Sequence, residues 1–405
     1  MGIVSFSPWN LRQINSPVGQ KAGATDAPAA AGDPFASVFG SQRHIAYLDA
    51  SGAIHDCWYD GARGRWNHQQ INGADGATSG PPATGAPFVW SVGPQQHVTY
   101  RTADGVIYDC WYTAGRWNLQ QINGEGGRTS GPAASANPFA SVFGNQQHIA
   151  YLDAAGVVYD SWYEGDRWSL QQINGDGGLT RGSPAVGGPF IWTVGPGQQH
   201  FTYYDATGTI HDSWFAGGNW NLQHINGAGG LTDGPAAAGL PFVSVYEDQQ
   251  HFFYLGRTTF ALAVTGPIRP TGIIHDAWFD GTKKLWNLRQ INGAGGVTSG
   301  PEAVAGPSAS VFTPPGPQAG PPGPRAGQHV GYRDSAGTIY DCWFDSRVTG
   351  WHRQQVTGAG GATEGPVAAG GPFVWTVGAE QQHFIYRTAA GTIYDAWFNA
   401  VAPAG

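Results

Sequence analysis

The chain predicts an all-β fold: a seven-bladed β-propeller of four-stranded antiparallel blades, its ring closed by the N-terminal strand completing the last blade. Three observations predict it. A tryptophan-rich motif returns seven times with a period of about fifty residues, a length that suits a four-stranded blade rather than a helix pair. Each copy divides into four short apolar runs of period two, rich in Val, Ile, Tyr, Phe and Trp and separated by Gly, Asp and Ala-Gly turns. The last copy stops after its third run, and the missing fourth stands at the N-terminus. An array finished by its own beginning is a closed ring.

In the third repeat the four runs are PFASVFG (Pro138 to Gly144), HIAYLD, VVYDSWY and WSLQQI. Its histidine recurs as His44, His97, His148, His200, His251, His329 and His383. The tryptophan of the third run recurs as Trp58, Trp111, Trp162, Trp214, Trp278, Trp343 and Trp397. The tryptophan opening the fourth run recurs as Trp66, Trp117, Trp168, Trp220, Trp286 and Trp351, and its seventh copy is Trp9. Trp9 to Asn15 is therefore expected as the outermost strand of the blade carrying His383 and Trp397. Residues 1–405 read as a single propeller domain with insertions at 256–271 and 313–327. Those insertions fall on consecutive turns of the blade pattern, so they project from opposite faces of the ring.

Composition bounds the partners. With 63 glycines and 28 prolines the chain is loop-rich, yet its aromatic content supplies a core that a disordered chain lacks. A net charge of −8 and the lack of a basic stripe argue against nucleic acid. No stretch is long and apolar enough to span a bilayer. The N-terminus MGIVSFSPWN has no charged region followed by an apolar one, and Phe6 stands where a myristoylation signal needs Ser or Thr. The expectation is a cytoplasmic or non-classically released protein. Cys57, Cys110 and Cys342 share one place in their repeats, filled elsewhere by Ser161, Ser213, Ala277 and Ala396, and read as small packing residues.

Connectivity places a candidate site. The turn Asp153 to Gly156 sets His148 opposite Trp162, and the short turn Glu164 to Asp166 sets Trp162 opposite Trp168. Opposed residues point to one side of a sheet, so each blade is expected to carry a lateral row of one histidine and two tryptophans. A one-residue slip would scatter that row. An indole offers a flat apolar face with one donor edge, suited to the C–H side of a sugar ring, and His and Gln can bond hydroxyls. The competing reading makes the tryptophans inter-blade packing and the histidines satisfied core residues.

The other repeated polar groups read as structural. Asp56, Asp109, Asp160, Asp212, Asp276, Asp341 and Asp395 precede the third-run tryptophan by two and suit a buried carboxylate that accepts loop N–H groups. The Asp-x-x-Gly turns supply too few oxygens for calcium. The INGAGGVTSGP-type loops lack the Lys-Ser/Thr of a phosphate loop. Histidines spread one per blade cannot share a metal, so no metal, cofactor or catalytic set is expected. On the innermost strand Trp90, Trp192 and Trp375 alternate with Ser37, Ser141, Ser244 and Ser310, which predicts at least two classes of site.

Through its HxxYxDxxGxIYDxWY and WNLQQIN blocks, nearly the whole chain resembles the seven-bladed bacterial propeller lectins of Photorhabdus type. It is similar more loosely to the fungal fucose-specific lectin superfamily. The resemblance implies binding of fucose or O-methylated sugars between blades, with glycans as partners, no catalysis and no obligatory metal. It puts the contacts on the histidine and tryptophan rows named above. The arginine after the repeat tyrosine is present as Arg101, Arg333 and Arg387 and is replaced by Leu48, Leu152, Tyr204 or Leu255 elsewhere. A multivalent lectin is thus the leading expectation, with a protein-interaction scaffold or an enzyme in the central channel as alternatives. Homo-oligomerisation is left open.

Overall fold

The second strand of each repeat is apolar on both sides, so it demands a neighbour on both sides. In the third repeat Gln146–Leu152 alternates as a strand does, yet Ile149, Ala150, Tyr151 and Leu152 are all buried. Ile149 and Tyr151 belong to one apolar cluster and Ala150 and Leu152 to another, on the opposite face. A sheet with two such faces must be sandwiched between two more.

A computed structural model describes residues 9–17, 23–258, 270–313, 327–345 and 350–400. It holds seven four-stranded antiparallel sheets, each ordered from an innermost strand a to an outermost strand d. Blade 1 spans 35–70, blade 2 88–121, blade 3 139–172, blade 4 190–224, blade 5 242–290 and blade 6 308–355. Blade 7 comprises 373–399 and takes Trp9–Gln13 as its strand d. Strand a of every blade packs against strand a of both neighbours, including blade 7 against blade 1, so the ring is closed. Insertion residues 259–269 and 314–326, and Gly2 and Phe6, lie outside the described residues.

Closure follows the expected pairing. Trp9 faces Phe398, Leu11 faces Ala396 and Gln13 faces Tyr394, and the Ile14 N–H donates to Ile393 O at 2.9 Å. The asparagine ending WNLQQIN then ties each blade to the link that follows. Asn174 Oδ1 accepts from Val158 N–H at 2.7 Å, while its Nδ2 donates to Gly156 O at 3.1 Å and Ser183 O at 2.9 Å. Asn15 repeats this at the closing blade, bonding Ile393 N–H, Gly391 O and Pro28 O. Thr357 substitutes for it in blade 6, accepting from Ile339 N–H. The tight turn between strands b and c needs Gly156 at φ +84°, where an added Cβ would also sit 2.7 Å from Ala185 O.

Seven apolar clusters fill the seven seams between blades. The cysteines lie in them, buried as packing residues, and burial pushes their thiols up to about 12. At the axis the phenylalanines that open strand a converge. Phe35, Phe88 and Phe139, from three successive blades, have ring centroids 5.1 to 6.5 Å apart.

One seam residue makes stability depend on pH. His275 stacks on Tyr254 at 5.5 Å, and burial lowers its pKa to about 4. Above about pH 6.5 the ring is neutral in the folded and unfolded chain alike. Below that the unfolded chain binds a proton that the folded site refuses until about 4, so stability is lost as pH falls across that window. His55 and His211, also lowered by burial, act in the same direction. Blades 2, 3, 6 and 7 carry tyrosine at this place (Tyr108, Tyr159, Tyr340, Tyr394). We expect His275→Tyr to gain stability relative to wild type as pH falls from about 6.5 to 4. Urea midpoints across that range measure this; parallel curves would show that the ring is not desolvated.

Candidate functional site: the inter-blade clefts

Counting along the b–c turn gives the right register. His148 faces Trp162, and the same pair recurs in every blade. The c–d turn corrects the expected row. Trp162 faces Ser169, and Trp168 faces Tyr163. Glu164 pairs with Arg167, leaving a two-residue turn in which Gly165 and Asp166 have φ +54° and +71°. Such a left-handed turn matches the strand twist and is preferred over the three-residue turn that the expectation used. The slip puts the two tryptophans of one blade on opposite faces.

Ring closure brings them together again from different blades. The strand-c tryptophan of one blade looks forward, and the strand-d tryptophan of the next looks back into the same cleft. The pairs are Trp58 with Trp117, Trp111 with Trp168, Trp162 with Trp220 and Trp214 with Trp286, then Trp278 with Trp351, Trp343 with Trp9 and Trp397 with Trp66. Between blades 1 and 2, Trp117 Nε1–H donates to Gln69 Oε1 at 3.0 Å, and Gln96 Nε2 donates to Asp56 at 3.3 Å. Each strand-d ring packs on its seam cluster, as Trp117 does on the cluster that includes Leu48 and Val98.

The histidines stand behind the clefts. All seven are at most 3% exposed, and Nδ1 lies 2.8 to 3.0 Å from the repeat aspartate in every blade. The aspartates are buried as expected, but their donors are the histidine in every blade and, in blades 2, 3 and 4, a strand-d glutamine, rather than loop N–H groups. Gln171 Nε2 donates to Asp160 at 2.9 Å, and Gln120 and Gln223 do the same to Asp109 and Asp212. So fixed, each imidazole lies nearly parallel to its strand-c indole, with centroids 5.9 to 6.4 Å apart and planes 7 to 15° from parallel. In blades 2, 4 and 7 a third ring (Trp90, Trp192 or Trp375) stacks on the histidine from the inner side at 4.0 to 4.9 Å. In the other four blades the serine expected there takes its place.

The indoles differ in what covers them. Trp9 and Trp343 are buried, and the other twelve repeat tryptophans are half-buried. His352 stacks on Trp343 at 5.3 Å, and the Arg289 guanidinium sits 3.6 Å from the Trp278 centroid. Arg12 lies 5.8 Å from the Trp397 ring. Over Trp58, Trp111, Trp162 and Trp214 no cation and no ring besides the histidine is placed among the described residues. Their strand-d neighbours are Asn67, Asn118, Ser169 and Asn221.

Arg101, Arg333 and Arg387 are not in the row. They pair with Ile107, Ile339 and Ile393, four positions along strand b from the histidine. Sequence reasoning missed the strand-d position that bonds the aspartate. Its signal was present: WNLRQIN occurs twice, placing Arg12 and Arg289 where WNLQQIN has glutamine. Among the described residues, no group of three or more His, Cys, Asp or Glu is arranged to hold a metal, and no helix is long and apolar enough to cross a membrane.

No protein-family model matches the chain, and neither does any curated protein. Solved structures do. The SapL1 lectin, in complex with α-methyl fucoside, matches at a TM-score of 0.48 and 14% identity, over 81% of this chain and 96% of that one. A mutant of the Aleuria aurantia lectin in complex with α-methyl-L-fucoside matches at 0.45 and 15%, over 84% and 97%. That lectin is a six-bladed propeller. A chain of the S. cerevisiae complex of Dbp5 with Nup159 and Gle1 matches at 0.49 and 10%, over 96% and 95%. The chain is thus similar to fucose-specific β-propeller lectins, and at these identities the likeness is one of fold.

The histidine brace and the indole it supports separate experimentally. Asp160→Ala would leave His148 Nδ1–H and Gln171 Nε2–H without their buried acceptor and should cost about 2–4 kcal/mol. Trp162→Ala removes a half-buried ring with no buried polar partner to orphan and should cost less. Denaturant titration of the two variants checks this. Equal losses would mean that Trp162 is as much a part of the frame as Asp160.

Proposed function

We propose that the protein is a multivalent lectin that binds fucose, or a related deoxy or O-methylated sugar, in repeated clefts between blades. The observation that carries this reading is the set of four half-buried indoles, Trp58, Trp111, Trp162 and Trp214, each stacked on a buried histidine, with no cation and no second ring over it among the described residues. Their Nε1–H groups have no hydrogen-bond partner among the described residues and are left to a ligand. Preorganisation matters because a platform fixed before binding loses no side-chain entropy on binding. A deoxy or O-methylated sugar offers the C–H surface that such a platform favours. The glutamines and asparagines beside each ring supply donors and acceptors for hydroxyls.

The histidines are assigned to orientation rather than contact, and the strand-d tryptophans to the cleft wall. Weak single sites on one rigid ring gain avidity on a glycan-covered surface without any new contact. A single catalytic site in the channel finds less support, since phenylalanine rings converge at the axis.

A glycan array tests the reading. The expected result is a defined set of bright sugars, dimmed by Trp162→Ala and abolished when Trp58, Trp111, Trp162 and Trp214 are all replaced by Ala. Trp343→Ala, in a cleft closed by His352, should leave the pattern unchanged if the fold persists. A blank array from correctly folded protein would overturn the proposal.

A further inference from the structure

The cleft between blades 5 and 6 departs from the rest in ways that share one chemical meaning. Arg289 replaces the glutamine of blades 1 to 4, and its guanidinium is sandwiched between Trp278 at 3.6 Å and Trp351 at 5.5 Å. This is also where the inner alternation breaks, with Ser244 and Ser310 on successive blades. Ser244 leaves the inner side of His251 without an indole, and Gln328 of blade 6 reaches across to donate to its Oγ at 2.9 Å. A cleft of about 210 Å³ opens here, lined by His251, Trp278, Lys283, Arg289, Gln328 and Trp351 among others.

We infer that this cleft is a subsite for an acidic sugar, one bearing a carboxylate or a sulfate ester, with Arg289 as the residue that binds the anionic group. The inference rests on the lectin reading above and adds a second ligand class to it. Arg289 Nε lies 3.3 Å from Asp276 Oδ2, but Asp276 is already engaged by His251 Nδ1 at 2.9 Å. The terminal guanidinium nitrogens have no hydrogen-bond partner among the described residues. Burial lowers the arginine's pKa, which marks a desolvated cation, although its side chain keeps 21% of its surface exposed.

The other acid lining the cleft, Asp280, is held by Lys283 at 2.9 Å, so no unpaired carboxylate among the described residues there repels an anion. A planar guanidinium fixed by two rings presents its donors as a fork, the geometry that matches carboxylate and sulfate oxygens. The volume lies below the roughly 300–1,000 Å³ of pockets for drug-sized molecules and suits one sugar unit. Arg12, the other such arginine, is exposed on an edge strand and makes no sandwich.

Calorimetry on the full chain tests this with four probes: methyl glucuronide, a 6-sulfated methyl galactoside, methyl α-L-fucoside and inorganic sulfate. The expected result is one site for an acidic sugar that weakens with salt and loses about tenfold or more affinity in Arg289→Gln. Arg289→Lys, which keeps the charge but not the fork, should fall between them, and fucoside binding should be the same in all three proteins. Whether glucuronide or sulfated galactoside binds more tightly identifies the anionic group. Acidic sugars that fail to bind, or that bind Arg289→Gln equally, would overturn the inference, as would inorganic sulfate binding as well as the sulfated sugar. Fucoside binding without acidic-sugar binding would sink this inference alone. Arg289-dependent acidic binding without fucoside would instead sink the neutral-sugar reading and keep this one.

Discussion

No blade in this ring is complete by itself, because each is apolar on both faces and each face is finished by the next blade. Ile149 and Tyr151 need blade 2, and Ala150 and Leu152 need blade 4. With seven such dependencies in a circle, the last can be met only if the chain ends join, which is the work of Trp9–Gln13. The same constraint builds the candidate sites. Each cleft is a seam whose inner part is packed shut and whose outer part, near the c–d turns, is left partly open. Closing the ring and forming the clefts are one event.

Within a seam, two sets of residues divide the work. The buried histidine and aspartate satisfy each other and hold one indole flat, and the strand-d tryptophan closes the wall opposite. The frame is nearly invariant around the ring, whereas the residue beside the indole is not: among the described residues there is a small asparagine or serine with no second ring or cation in blades 1 to 4, His352 in blade 6, and arginines in blades 5 and 7. Variation confined to the cap of a constant frame allows one repeat to change its ligand without changing its fold. The repeated unit is structural, and the specificity is local.

Much of this was legible in the sequence, for physical reasons. Seven copies and a displaced Trp9 specify closure, because no other arrangement pairs the last blade. The His148–Trp162 pairing followed from the b–c turn, whose Asp and Gly announce its length. The Trp162–Trp168 pairing did not, since Glu164-Gly165-Asp166 reads as three turn residues until Glu164 is seen to belong to the strand. One residue of slip moved a whole tryptophan ring to the other face of every blade. Burial of the histidines was one of two readings left open: a histidine beside a tryptophan looks the same on paper whether it faces solvent or an aspartate on the next strand. The cap positions were visible as WNLRQIN against WNLQQIN, but their meaning needed the register.

On the proposed reading, indoles with no second ring or cation over them bind sugar on a rigid frame, and covered ones do not. Native mass spectrometry of the intact chain, titrated with methyl α-L-fucoside or the brightest neutral sugar found, counts this directly. Saturation is expected at four sugars per chain, one each for Trp58, Trp111, Trp162 and Trp214. Saturation at seven would contradict it by showing that His352 and the two arginines cap nothing. No binding by any neutral sugar would remove the lectin reading from these four clefts.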